Sequence, residues 1–85
     1  MEFIDDTSLI STETEDGIVL LDQRKGVYWH LNGTAAEILR SLREDGDRDV
    51  AVAEIRDRYG IDESRARNDV EDLIRSLESV GVLRR

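Results

Sequence analysis

The sequence has no cysteine and no proline, a single histidine and no long apolar run. Without cysteine there can be no disulfide, thiolate metal site or cysteine nucleophile, a usage that suits a cytoplasmic protein. Without proline no stretch reads as a stiff linker. Without an apolar run there is neither a membrane span nor a signal-peptide core. His30 has no cysteine or second histidine to work with, so it reads as a surface or edge residue rather than a catalyst or ligand. No catalytic set, metal site or cofactor is expected. Basic residues are missing from positions 1–22, which carry Glu2, Asp5, Asp6, Glu13, Glu15, Asp16 and Asp22. The whole chain has a formal net charge of -8. Such a field disfavours phosphate backbones and favours basic partners, and it also serves as a solubility surface.

What is present fits one small domain of 85 residues with a core that must suffice unaided, leaving a stability margin of a few kcal/mol. Residues 1–6 read as a frayed acidic N-terminal segment, with Phe3 and Ile4 able to tuck against the fold, and 7–85 as the domain. Thr7 to Thr14 reads as a first strand. Asp16-Gly17 is a hairpin signal, because glycine supplies the positive φ that tight turns use. Ile18 to Asp22 follows as a second strand with Leu20 and Leu21 as core candidates. After a polar turn ending at Gly26, Val27 to Leu31 forms a third strand. Alternation puts Val27, Trp29 and Leu31 on one face and Tyr28 and His30 on the other.

Helices occupy the remainder. Thr34-x-x-Glu37 fits a capping box, followed by Ala35, Ile38, Leu39 and Leu42 at helical spacing. Asp49 is an N-cap candidate for a second helix carrying Val52, Ile55 and Tyr59, closed by Gly60. Asp62 caps a third helix with apolar positions at Ala66, Val70, Leu73, Ile74, Leu77 and Val80. Gly81 ends it, and Val82-Leu83 pack as a tail. The fold class is α+β: a three-stranded antiparallel sheet followed by three helices, the last two forming a winged helix-turn-helix shape.

That shape raises a nucleic-acid reading through Arg56, Arg58, Arg65, Arg67 and Arg75. The interleaved acids and a recognition helix beginning Asp62-Glu63 oppose it, so no nucleic acid and no membrane is expected as partner. A winged-helix module for protein–protein interaction or dimerisation stands as an alternative. The third strand is the last before the helices, so it can end as a sheet edge, where a peptide can add itself.

The sequence resembles the PqqD-like family of RiPP recognition elements, small domains that bind the leader segment of ribosomally made peptide precursors. The resemblance spans residues 7–83. It is carried by Val19-Leu20-Leu21-Asp22, by Gly26-Val27-Tyr28-Trp29-His30-Leu31-Asn32 and by Thr34-Ala35-Ala36-Glu37-Ile38-Leu39. Tyr59-Gly60, Asp69-Val70, Leu73, Leu77 and Gly81-Val82-Leu83 add to it. As a stand-alone acidic unit it is most similar to the recognition protein of lasso-peptide systems. The resemblance implies that a precursor leader pairs beside the third strand and packs against the third helix. It implies Val27, Tyr28, Trp29, His30 and Leu31 on the strand side. On the helix side it implies Arg67, Asp69, Val70, Glu71, Leu73, Ile74, Leu77 and Glu78, both flanks being included. Glu71 and Glu78 would favour a basic leader, and apolar anchors such as a Tyr-x-x-Pro element would suit the groove. A separate leader peptidase and a lasso cyclase are the implied protein partners, with no chemistry performed by this chain.

Overall fold

Alternating burial along residues 17–22 is the clearest local imprint of the sequence: Ile18, Leu20 and Asp22 point inward, Val19 and Leu21 are half-exposed. A computed structural model describes residues 2–5 and 7–84. Met1 and Asp6 of the N-terminal segment, and Arg85 at the domain's end, lie outside the described residues. In chain order the elements are β1 (Glu2–Phe3), β2 (Leu9–Glu13), β3 (Gly17–Asp22), β4 (Val27–Asn32), α1 (Gly33–Asp45), α2 (Arg48–Tyr59), α3 (Glu63–Ser79) and β5 (Leu83–Arg84). β2, β3 and β4 form an antiparallel sheet in that order, so the architecture is α+β as expected.

The register places Leu20 between Ser11 and Trp29, and Ile18 between Glu13 and Leu31. That inward face meets α1, which packs on β3 and β4, while α2 and α3 complete the second layer. Leu20, Ile38, Leu39, Leu42, Ile55, Val70 and Ile74 form the heart of the core. The third-helix stripe is narrower than its apolar count suggests. Ala66, Val70, Ile74 and Leu77 are buried, whereas Leu73 and Val80 are half-exposed. Tyr59 is also outside the core, 43% exposed.

Several local expectations are revised. The first strand begins at Leu9, because Ser8 and Leu9 donate backbone bonds to the Asp5 carbonyl in a preceding turn. The first helix is capped by Asn32, not Thr34: the Asn32 side chain accepts from Ala35 N at 2.9 Å. Strand β4 therefore hands its last residue directly to the helix as its cap. The second helix is capped by Asp47, whose carboxylate accepts from Asp49 N, rather than by Asp49. Asp62 does cap the third helix, accepting from Arg65 N at 2.8 Å. Gly17 has no positive φ; its role is to leave room for the Leu31 carbonyl of β4.

Phe3 and Ile4 belong to the fold. β1 pairs antiparallel with β5, Glu2 opposite Arg84 and Phe3 opposite Leu83, and Ile4 is 3% exposed. This ribbon was not expected from the sequence. Among the described residues no helix is long and apolar enough to cross a membrane.

The β3–β4 turn is strapped to the end of α3. Asp22 is fully excluded from solvent and receives two bonds from the Arg24 guanidinium, at 3.1 and 2.9 Å. Arg24 also donates to the Gly81 carbonyl at 3.0 Å, and Lys25 Nζ donates to the Val80 carbonyl at 2.8 Å. Cations there also suit the negative end of the helix dipole. The Arg24 hydrogen bond holds the Asp22 carboxyl below the usual carboxylate range, against the opposing effect of burial. Its folded value being depressed, the stability it contributes is present above about pH 4 and lost as the pH falls through that lowered value. Asp22→Asn should therefore unfold more easily in urea at pH 7 and show a shallower loss of stability on acidification. A slope unchanged from the parent protein would contradict this.

Candidate functional site

An outer strand keeps one row of backbone amides and carbonyls unpaired by its own sheet. β4 is such a strand: β3 pairs with one side of it, and no other described strand pairs with it. Its side chains alternate as the sequence requires. Trp29 and Leu31 are half-buried against the core, Tyr28 is 71% exposed, His30 is exposed, and Val27, at the strand start, is 42% exposed.

A cavity of about 370 Å³ opens where β4 runs into α1. Asn32, Thr34, Ala35 and Ile38 line it from the strand end and the first turns of α1. Its other wall is a single flank of α3, formed by Arg65, Asp69, Asp72, Leu73 and Ser76. The residues on this wall recur at i, i+4, i+7, i+8 and i+11, one helical face set a residue ahead of the buried stripe. Leu73 supplies the apolar part of the wall. Neither Arg65 nor Asp69 makes a side-chain ion pair among the described residues. Asp72 holds Arg75 at 3.2 Å, with both side chains more than two-thirds exposed, a pair worth little in water.

The remaining expected helix residues lie elsewhere. Val70 and Leu77 are core. Arg67 pairs with Asp49, on the first turn of α2, at 3.1 Å. Glu71, Ile74 and Glu78 line a second cavity, of about 1000 Å³, between α3, the α1–α2 turn and β5. There Glu71 holds Arg48 at 2.7 Å. Of the thirteen expected residues, then, only Asp69 and Leu73 line this groove; Val27 to Leu31 run along the edge that leads to it, with Tyr28 and His30 on the opposite face of the sheet. Arg67, Glu71, Ile74 and Glu78 fall on the opposite flank. Asn32, Thr34, Ala35, Ile38, Arg65, Asp72 and Ser76 were not anticipated. The signal for the last three was the i, i+4, i+7, i+11 run itself, but choosing it over the other flank needs the side on which α2 crosses.

An unpaired backbone edge leading to a groove wall with one apolar residue, Leu73, beside charges of both signs can accept an extended peptide. Among the described residues no group of three or more His, Asp or Glu is placed to hold a metal ion. Comparison with curated proteins gives no match. Two solved structures are similar. TbiB1 in complex with the TbiA(beta) leader peptide is 26% identical, with a TM-score of 0.87 over 98% of this chain and 94% of that one. Lasso peptide synthetase B1 complexed with the leader peptide is 32% identical, with a TM-score of 0.79 over 87% of each chain. Residues 17–83, from the first residue of β3 to β5, match the family described as coenzyme PQQ synthesis protein D. That match takes in β3, the open β4 edge and the facing helix α3, leaves out β2, and spans well over half of the sequence, so the chain belongs to the PqqD family.

Proposed function

We propose that this protein binds the leader segment of a ribosomally made lasso peptide precursor as an added strand on β4. It then passes the leader to a separate peptidase and a cyclase, performing no covalent chemistry itself. The observation that carries the reading is the unpaired β4 edge ending at a groove whose far wall is the Leu73 flank of α3. The likeness to two proteins solved with leader peptides supports it.

Magnitudes divide the work between backbone and side chains. About four strand hydrogen bonds contribute roughly 1 kcal/mol net each. Ordering a disordered leader costs about 2–5 kcal/mol, so these terms nearly cancel. One or two buried leader side chains, at about 1.5–3 kcal/mol each, then decide whether a peptide stays. Backbone pairing holds the guest and the groove selects it. A Tyr-x-x-Pro element would supply such apolar anchors. A basic leader remains the proposal, but Asp69 and Asp72 replace Glu71 and Glu78 as its source, because they line the β4 groove.

The test is a titration of a labelled synthetic peptide carrying Tyr-x-x-Pro flanked by lysines, with a scrambled control. Saturable binding of the first alone supports the reading; no saturable binding of either overturns it. Replacing Asp69 and Asp72 together by Asn should slow association several-fold at low ionic strength. The difference should vanish near 1 M salt, where screening shortens to about 3 Å.

A further inference from the structure

Helices cover one face of the sheet and leave the other open. The register sets two cross-strand rows on the open face. Ile10, Leu21 and Tyr28 stand side by side in one, and Thr12, Val19 and His30 in the next. Ile10 is 41% exposed and Tyr28 71%. Leu21 and Val19 are half-exposed. A solvated face of an antiparallel sheet ordinarily alternates to polar side chains, so an apolar row crossing all three strands marks a contact surface. One end of the face is bounded by the β2–β3 turn, where Glu15 and Asp16 are exposed and make no ion pair among the described residues. At the other end Arg24 and Lys25 are turned onto the end of α3. The rim therefore offers uncompensated negative charge and little positive charge.

We infer that this open face docks the protein that acts next on a peptide held at the β4 edge. That partner presents apolar side chains beside Lys or Arg. The inference rests on the strand-addition reading above and extends it to a second surface. Its basis is the period of two. A guest strand paired with β4 sends alternate side chains to opposite faces. One set enters the groove against Leu73. The other stands on the open face, in line with Tyr28 and His30. Guest and sheet then form one continuous surface, and a partner seated on it touches both. By linkage such a partner binds the loaded domain more tightly than the empty one, and the guest gains by the same factor. A second copy of this chain is the poorer occupant, because two chains of net charge -8 repel each other.

Ile10→Lys tests the surface, since Ile10 lies on β2, two strands away from the guest edge. The probes are the labelled Tyr-x-x-Pro peptide and the purified leader peptidase. The variant should bind the peptide within twofold of the parent. Its affinity for the peptidase should fall at least tenfold, and the parent should bind the peptidase at least fivefold more tightly when loaded. Should Ile10→Lys fail to fold, Glu15→Lys with Asp16→Lys in the exposed turn should weaken the peptidase and flatten its salt dependence. Normal peptidase binding by both variants overturns the inference. So does self-association of the parent that Ile10→Lys abolishes, which would give the face to a second copy. Failure of the parent to bind the peptide overturns the strand-addition reading instead, and the peptide-free peptidase titration still reports on the face.

Discussion

Leu73→Glu should weaken leader binding by about 10- to 100-fold while leaving the helical circular dichroism and the urea midpoint close to those of the parent. Leu73 is half-exposed and sits on the groove wall between Asp69 and Ser76. Removing one apolar contact of about 1.5–3 kcal/mol accounts for most of that factor. The new carboxylate also joins Asp69 and Asp72, and must lose water when an apolar anchor is brought against it. The neighbouring Ile74 cannot serve as the probe. It is 2% exposed and part of the core, so Ile74→Glu buries an unpaired charge and unfolds the domain. Fluorescence titration beside a urea series separates loss of binding from loss of fold. Parental affinity in Leu73→Glu would place the guest somewhere other than this groove.

Gly17→Ala should be the most damaging of the glycine-to-alanine changes in this chain. Gly17 opens β3 opposite Asn32. A Cβ built there would overlap the Leu31 carbonyl oxygen and lie 2.9 Å from the Asn32 carbonyl carbon. The obstacle is backbone, so no rotamer change relieves it. Either the β3–β4 ladder separates at this point or the strand-to-helix junction shifts. Overfilling a core with side chains costs about 1–3 kcal/mol; displacing a strand should cost at least the upper end, against a total stability of a few kcal/mol. The expected result is loss of a cooperative urea transition. Gly60→Ala is the control. At φ 63° with open space around it, the substitution pays only the left-handed backbone cost of about 1–2 kcal/mol. Similar urea midpoints for the two variants would show that the close approach of β3 and β4 is not what Gly17 serves.

The strands and helices were legible because their burial follows the periods of two and 3.6. Val19-Leu20-Leu21 alternates as a strand does, and Ala66, Val70, Ile74 and Leu77 repeat as one helical stripe. Helix ends were legible where a single candidate stood at the boundary, as at Asp62 and Gly60. They were not legible where two candidates competed. Thr34 with Glu37 matches a capping box by residue type, yet Asn32 wins because β4 and α1 abut without a loop. Asp47 precedes Asp49 for the same reason of chain path. The β1–β5 ribbon pairs two-residue segments from opposite ends of the chain, too short to show a period. The groove was half legible. Strand β4 announced itself, but Leu73 and Ile74 share the apolar stripe, and only the crossing of α2 decides which of them is core. Gly17 illustrates a different loss: the sequence shows a turn glycine, whereas the fold uses it for the approach of a second backbone.

The strap from Arg24 and Lys25 to Gly81 and Val80 gives the proposed guest a direction of departure. It ties the start of β4 to the end of α3, at the extremity away from the groove that Asn32, Arg65 and Leu73 line. A guest strand on this edge would be held by backbone pairing alone near Gly26, and by its apolar anchors as well beside Asn32. Its release would then start near Gly26, where side-chain contacts are fewest, and end when the anchors leave the groove.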